Sequence, residues 1–310
     1  MKILLTGGSG FLGLALAQAL VTTGDHVILP LRSGQGNQIT DNPLIQHVPM
    51  RDLEAMTSED WLPLLAGVDA VIHAAAIAHI GPSVPVSRYR MINRDASQCL
   101  AQAAAQAGVK RFVFVSSIRA QAGATSPAVQ TEASPALPTE AYGQSKLEAE
   151  QRIRLHLPQS VIFRPALIVG VPAKGNLATL VKLAALPLPL PLGALNQPQA
   201  MVSRDNFIAA IMLALRDDTL QGETYVVADE PHPSVTDMLA FLREGMGRPR
   251  WLIAVPQALL ALPLRLMGKG NAFDRIAGGL KVDASKLIAA GWKPVIAPRD
   301  AFRVLAEASL

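Results

Sequence analysis

The 310-residue chain carries a single cysteine, Cys99. One thiol cannot build a disulfide framework or a cysteine-ligated metal cluster, and the scarcity fits a reducing, cytoplasmic setting with no metal site. Aromatic residues are only 5% of the chain, and the basic residues behind the net charge of +4 are scattered. A nucleic-acid surface needs a basic stripe with stacking rings, so no such partner is expected. Charged residues are also sparse, at 17% against 50% hydrophobic, yet the apolar content never gathers into a long run. The greasy stretches at 251–255 and 258–267 are broken by Pro256, Pro263 and Arg265, too soon for the roughly 20 residues of a membrane span. They read as a buried or interface helix. The first residues, a lysine followed by apolar side chains, mimic a secretion signal, but glycines interrupt the segment that such a signal keeps apolar. No internal repeat is visible.

Strands and helices alternate in what remains. Short apolar runs recur at 2–6, 26–31, 70–73, 111–115 and 161–164 with helical patterns between them, the grammar of βαβ units feeding a parallel sheet. Leu12, Leu16 and Leu20 form a stripe with Ala15 and Ala19, and Gly24 is placed to end that helix. The spacing predicts a doubly wound parallel α/β sheet, a Rossmann domain over 1–170. Beyond it, 171–310 reads as a smaller, mixed α/β, substrate-binding portion interleaved with the first. The Leu/Pro segment at 184–193 cannot be a continuous helix and reads as an ordered connection between helix and strand.

The densest glycine cluster follows the first strand: Gly7, Gly8, Gly10 and Gly13 in ThrGlyGlySerGlyPheLeuGly. In a strand-turn-helix setting, such glycines permit a tight turn, close approach of a pyrophosphate, and close packing of helix on strand. The amides that open the helix then face the anion. At the end of the second strand, where an acidic residue would accept from the 2′-hydroxyl of NAD, stand Arg32 and Ser33. An arginine there suits a 2′-phosphate, so NADP(H) is favoured over NAD(H). Tyr142 and Lys146 lie four apart and share one face of a helix. A phenol is a weak base at neutral pH, and a nearby ammonium favours its ionised form, which makes the pair a usable acid/base. Ser116 and Ser117 end another strand, at the sheet edge where open α/β folds bind ligands.

These stretches, with AspAlaValIleHisAlaAlaAla (69–76), Asn93, ValSerSerIle (115–118), TyrGlyGlnSerLys (142–146) and PheArgProAla (163–166), resemble the extended short-chain dehydrogenase/reductase family over most of the chain. Within it they are similar to the nucleotide-sugar group of 4-epimerases and 4-keto reductases serving envelope polysaccharide precursors. The resemblance implies that Gly7, Gly10, Phe11, Leu12 and Gly13 hold the dinucleotide. Arg32, Ser33, Asp52 and Leu53 would lie on its adenine side, and Ala74, Ala75, Ala76, Asn93, Tyr142, Lys146 and Pro165 along the rest. It makes Ser117, Tyr142 and Lys146 the catalytic set and places His79, Ser117, Arg119, Asn176 and Gln199 on the substrate side, with a UDP-linked sugar as partner and a homodimer as the assembly. Two departures matter. Ile118 and Arg119 stand where the family's dehydratases carry an Asp-Glu pair, which argues against dehydration. Gln199 occupies the place of an arginine that would grip the diphosphate, leaving Arg204 and Lys174 as the remaining cations. The sequence leaves epimerisation and keto reduction open, with reduction of a different carbonyl compound or a non-catalytic NAD(P) sensor as the alternatives.

Overall fold

The computed structural model describes residues 1–32, 42–78, 84–266, 273–274 and 277–309, without the side chains of 263–266. Ser33 and His79 therefore lie outside the described residues.

Seven strands form one sheet in the order β3-β2-β1-β4-β5-β6-β9: β1 Lys2–Thr6, β2 His26–Leu31, β3 Ile45–Pro49, β4 Ala70–His73, β5 Arg111–Val115, β6 Val161–Pro165 and β9 Thr224–Val227. Every pairing between neighbours is parallel. Both faces are covered, because successive side chains of a strand point to opposite sides. Ile3, Leu5, Ile72, Val113 and Phe163 meet Leu16 and Leu20 of α1 (Phe11–Thr22) and Phe207 and Ile211 of α7 (Arg204–Ala214). Leu4, Val71, Phe112, Phe114 and Ile162 meet Leu100 of α4 (Ala96–Gln106) and Ala149 and Ile153 of α5 (Ala141–His156). This two-sided burial is what unalternated apolar strands predict, and the five runs expected from the sequence are five of the seven strands. The helix α1 carries its leucine stripe as expected, and Gly24, at φ +80°, follows its end.

A third apolar cluster lies apart from the sheet. It joins Leu177 and Val181 of α6 (Gly175–Ala184), Met238, Leu239 and Leu242 of α8 (Val235–Gly245), and Phe302 and Leu305 of the last helix (Pro298–Glu307). Beside it run two short parallel strands, β7 Leu167–Val169 and β8 Met201–Ser203. The Leu/Pro segment is an ordered connection: the Leu190 amide donates to the Trp251 carbonyl at 2.9 Å and its carbonyl accepts from Ile253 at 2.8 Å. Among the described residues no helix is long and apolar enough to cross a membrane.

Candidate active site

The strand order reverses between β1 and β4, and the loops leaving these two strands open the crevice where doubly wound sheets take ligands. Gly7 lies at φ +75°, and a Cβ there would sit 2.8 Å from the Ala75 nitrogen and 2.9 Å from the Ala74 carbon. A Cβ on Gly13 would fall 2.7 Å from the Gly7 carbonyl carbon and nearer still to its oxygen. The turn is closed by the Gly10 amide donating to the Gly7 carbonyl at 2.9 Å. The first turn of α1 has no side-chain cap and no acidic residue, so its amides are left for an anion. This main-chain cradle, which side chains would fill, fits a dinucleotide pyrophosphate. Phe11 and Leu12 open α1, and Leu12 packs on the core. Nearby, Arg32 pairs with Asp52 at 3.1 Å, both exposed, and Leu53 begins a short 3₁₀ turn.

A buried polar chain ties this cradle to α5. The Ala75 amide donates to Thr6 Oγ1, which bonds His73 Nδ1 at 2.6 Å; His73 Nε2 bonds Ser97 Oγ at 2.8 Å, and Ser97 donates to the Asn93 carbonyl at 2.6 Å. Since the one Ser97 proton goes to that carbonyl, His73 Nε2 must carry the hydrogen and Nδ1 must accept from Thr6. The ring is neutral, and burial, helped by the Lys146 charge, lowers its pKa to about 3. The Asn93 side chain clamps the loop after Ala76 by accepting from the Ile77 amide at 2.9 Å and donating to its carbonyl at 3.0 Å. It also donates to Ser145 Oγ, which donates to the Tyr142 carbonyl at 2.7 Å. Thus Asn93 fixes the first turn of α5.

That turn carries Tyr142 against the end of β5. Gly143 makes the approach feasible: a Cβ would lie 2.8 Å from the Arg119 carbonyl carbon and nearer to its oxygen. Ser117 caps the 3₁₀ turn Ile118–Ala120, accepting from the Arg119 amide, and its hydroxyl bonds the Tyr142 side chain. Burial raises the phenol pKa, while the Ser117 hydrogen bond and the Arg119 charge pull it down. Lys146, one turn along, is buried with Nζ 4.1 Å from the centre of the Phe114 ring. Loss of water lowers its pKa to about 7, against the opposing pull of Glu150.

Behind this corner Glu150 and Arg164 form a buried bidentate pair. Arg164 Nη2 lies 2.6 Å from Glu150 Oε2, and Arg164 Nε is within 3.0 Å of Oε1. Ser116 donates to the same carboxylate, and Arg164 Nη1 donates to Gln121 Oε1 at 2.9 Å. The sequence reading missed His73, Ser97, Ser145, Glu150 and Arg164 as site-building residues. A charged residue four after Lys146, on the same helix face, was the available signal for Glu150.

The substrate-side residues are more dispersed. Arg119 acts on Tyr142, but Asn176 is exposed in the first turn of α6, and the Gln199 side chain is spent on the Gly278 carbonyl. Pro165 ends β6, buried and paired with Val227. Among the described residues no cluster of side chains could hold a metal ion.

Residues 3–228 match the NAD dependent epimerase/dehydratase family. A UDP-glucose 4-epimerase of Vibrio cholerae is 32% identical over all of this chain and 95% of its own length. Among solved structures, a UDP-N-acetylglucosamine 4-epimerase from Bacillus cereus superposes with a TM-score of 0.78 at 19% identity, covering 99% of this chain and 98% of its own. A UDP-glucuronic acid 4-epimerase from the same species, in complex with NAD, gives 0.76 at 21% identity over 100% and 96%. The glycine cradle, the Ser117–Tyr142–Lys146 corner and this full-length likeness make the chain a member of the NAD dependent epimerase/dehydratase family.

Proposed function

We propose that the protein inverts the configuration at C4 of a UDP-linked sugar, using a dinucleotide seated on Gly7, Gly10 and Gly13. The observation that carries this reading is the corner where the Ser117 hydroxyl and the Arg119 charge both act on the Tyr142 phenol, one helical turn from buried Lys146. The likeness to a UDP-glucose 4-epimerase along the whole chain supports the substrate class.

A nicotinamide seated there would supply reversible hydride chemistry, accepting a hydride from the sugar carbon and then returning it. Tyr142 Oη takes the proton of the C4 hydroxyl and later returns it. Ser117 holds the same sugar oxygen, so the proton moves along a preformed hydrogen bond rather than through solvent. Arg119 and the Lys146 ammonium favour the phenolate that burial opposes, and Lys146 reaches the ribose. Asn93 and His73 act through position, holding the first turn of α5 in register with the loop after β4. We also propose that Arg32 takes the 2′-phosphate of NADP(H) in exchange for Asp52, that the portion after residue 170 closes over the sugar, and that two copies pair through helices of the sheet domain. Tighter binding of NAD than of NADP in titration would overturn the first of these, and a monomer in sedimentation the last.

The test is to incubate the protein with UDP-glucose, UDP-N-acetylglucosamine and their 4-keto-6-deoxy derivatives, with and without added NADPH, and follow the sugar signals by NMR. Epimerisation without added NADPH is expected, and Tyr142→Phe should lower kcat roughly 100-fold or more while dinucleotide affinity stays within twofold. Net consumption of NADPH would make the protein a reductase instead. No reaction and no binding of any UDP-sugar would end the reading.

A further inference from the structure

One face of the portion after residue 170 is apolar and open to water. The Leu/Pro connection leaves Leu186 and Leu188 exposed, and Trp251, Ile253, Leu259 and Leu262 are each more than half exposed. Leu190 pairs in parallel with Leu252, and both turn inward, with Leu260 and Ala261 of α9 (Gln257–Leu266), onto the cluster around α6 and α8. Trp251 and Ile253 flank Leu252 and turn the other way. Leu259 and Leu262, one turn apart, lie on the far side of α9, so all four point away from that cluster. The face is tied down from beneath. Gln257 Nε2 donates to the Ala194 carbonyl at 3.0 Å, and the buried Arg243 guanidinium donates to the carbonyls of Pro249 at 2.7 Å and Leu188 at 3.2 Å. Trp251 sits at φ +29°, the one non-glycine residue at positive φ among the described residues, a conformation that persists only where the surroundings impose it.

The charge around this face is of one sign. The two stretches that build it hold no Asp or Glu between Glu150 and Asp205 or between Glu244 and Asp274, while they carry Lys182, Arg248 and Arg250. Lys182 and Arg250 are exposed; Glu244, at the rim, lies 3.7 Å from Arg250 and also pairs with Arg299. The charge that acts on buried Arg243 is that of Arg248, another cation. A contact between two copies would use the same face on both partners and gather the arginines of both at one seam. A bilayer with anionic headgroups answers both features, since aliphatic side chains enter the acyl boundary, a tryptophan ring sits at headgroup level and cations meet lipid phosphates. We propose that this face docks peripherally on an anionic membrane surface, with Trp251, Leu259 and Leu262 inserted and Lys182, Arg248 and Arg250 against the phosphates. The proposal is independent of the substrate reading above.

Flotation of the full chain with vesicles of phosphatidylcholine, alone or mixed with phosphatidylglycerol, tests this. Binding to the mixed vesicles should be roughly 10-fold or more tighter than to phosphatidylcholine alone and should weaken in high salt. Trp61 and Trp292 are buried, so quenching by brominated lipid reads Trp251, and the unaltered protein should be quenched on the mixed vesicles; this arm needs no variant. Arg250→Gln should weaken binding roughly 5-fold, and Leu259→Gln combined with Leu262→Gln roughly 10-fold or more. Each altered side chain is exposed, so both proteins should keep the urea midpoint of the parent. No flotation of the parent, binding indifferent to lipid charge, or full binding by the double leucine variant would overturn the proposal. A parent that self-associates without binding vesicles, and that the double leucine variant renders monomeric, would make the face a contact between copies and would overturn it as well.

Discussion

Replacing Glu150 by Gln removes the charge that balances Arg164 in a place water does not reach. The two side chains are 5% and 10% exposed, and Arg164 Nε and Nη2 make three contacts to the carboxylate between 2.6 and 3.2 Å. Uncoupling a buried ion pair by deleting one partner costs about 3–5 kcal/mol, because the remaining charge stays desolvated. Against a total stability of about 5–15 kcal/mol this is roughly a fifth or more. With a urea slope of about 3 kcal/mol per M, the unfolding midpoint should fall by about 1–1.7 M. Arg164→Met should cost as much by leaving Glu150 uncompensated. The double variant, Glu150→Gln with Arg164→Met, should be no less stable than the worse single, since neither charge remains. Circular dichroism in urea at pH 8 reads all four proteins. Single losses below about 1 kcal/mol, or a double loss equal to their sum, would refute the reasoning. Glu150→Gln has a second consequence: Glu150 favours the charged form of Lys146, so that ammonium should titrate lower still in the variant.

Three further outcomes are expected. Lys146 titrates near 7 in the folded chain against 10.5 for an ordinary lysine, so the unfolded chain binds more protons between these values and its burial cost is relieved as pH rises; in urea melts, the stability advantage of Lys146→Met over the parent should shrink steadily from pH 7 to 10 and vanish above it, and a constant gap would refute this. Arg119→Gln removes a charge that lowers the Tyr142 pKa, so the rising limb of the pH–kcat profile should move to higher pH, with an unmoved limb as the contrary result. Gly143→Ala places a Cβ against the Arg119 carbonyl and should lower kcat by separating Tyr142 from Ser117, at a stability cost of roughly 1–3 kcal/mol; full activity would show that the close approach is dispensable.

The sheet was legible because its central strands are buried on both faces, so each is a short apolar run that no helix or loop would carry. The exceptions follow from the same physics. β3, Ile45–Pro49, lies at the sheet edge with three of its five side chains exposed, and carries no uniform apolar signal. β9 joins the sheet beside β6 only after 58 intervening residues that carry β7, α6, β8 and α7. Gly7, Gly10 and Gly13 could be read from the sequence because their demand is local, a main-chain turn with no room for Cβ. Tyr142 and Lys146 could be read because one helix sets their spacing. Only the tertiary structure decided what holds them: Asn93 reaches Ser145 across 52 positions, His73 reaches Thr6 across 67, and Arg164 on β6 meets Glu150 on α5. Each of those partners is an ordinary polar residue in the sequence, and the cost of burying it is met only where the parallel register brings a distant donor or acceptor within reach.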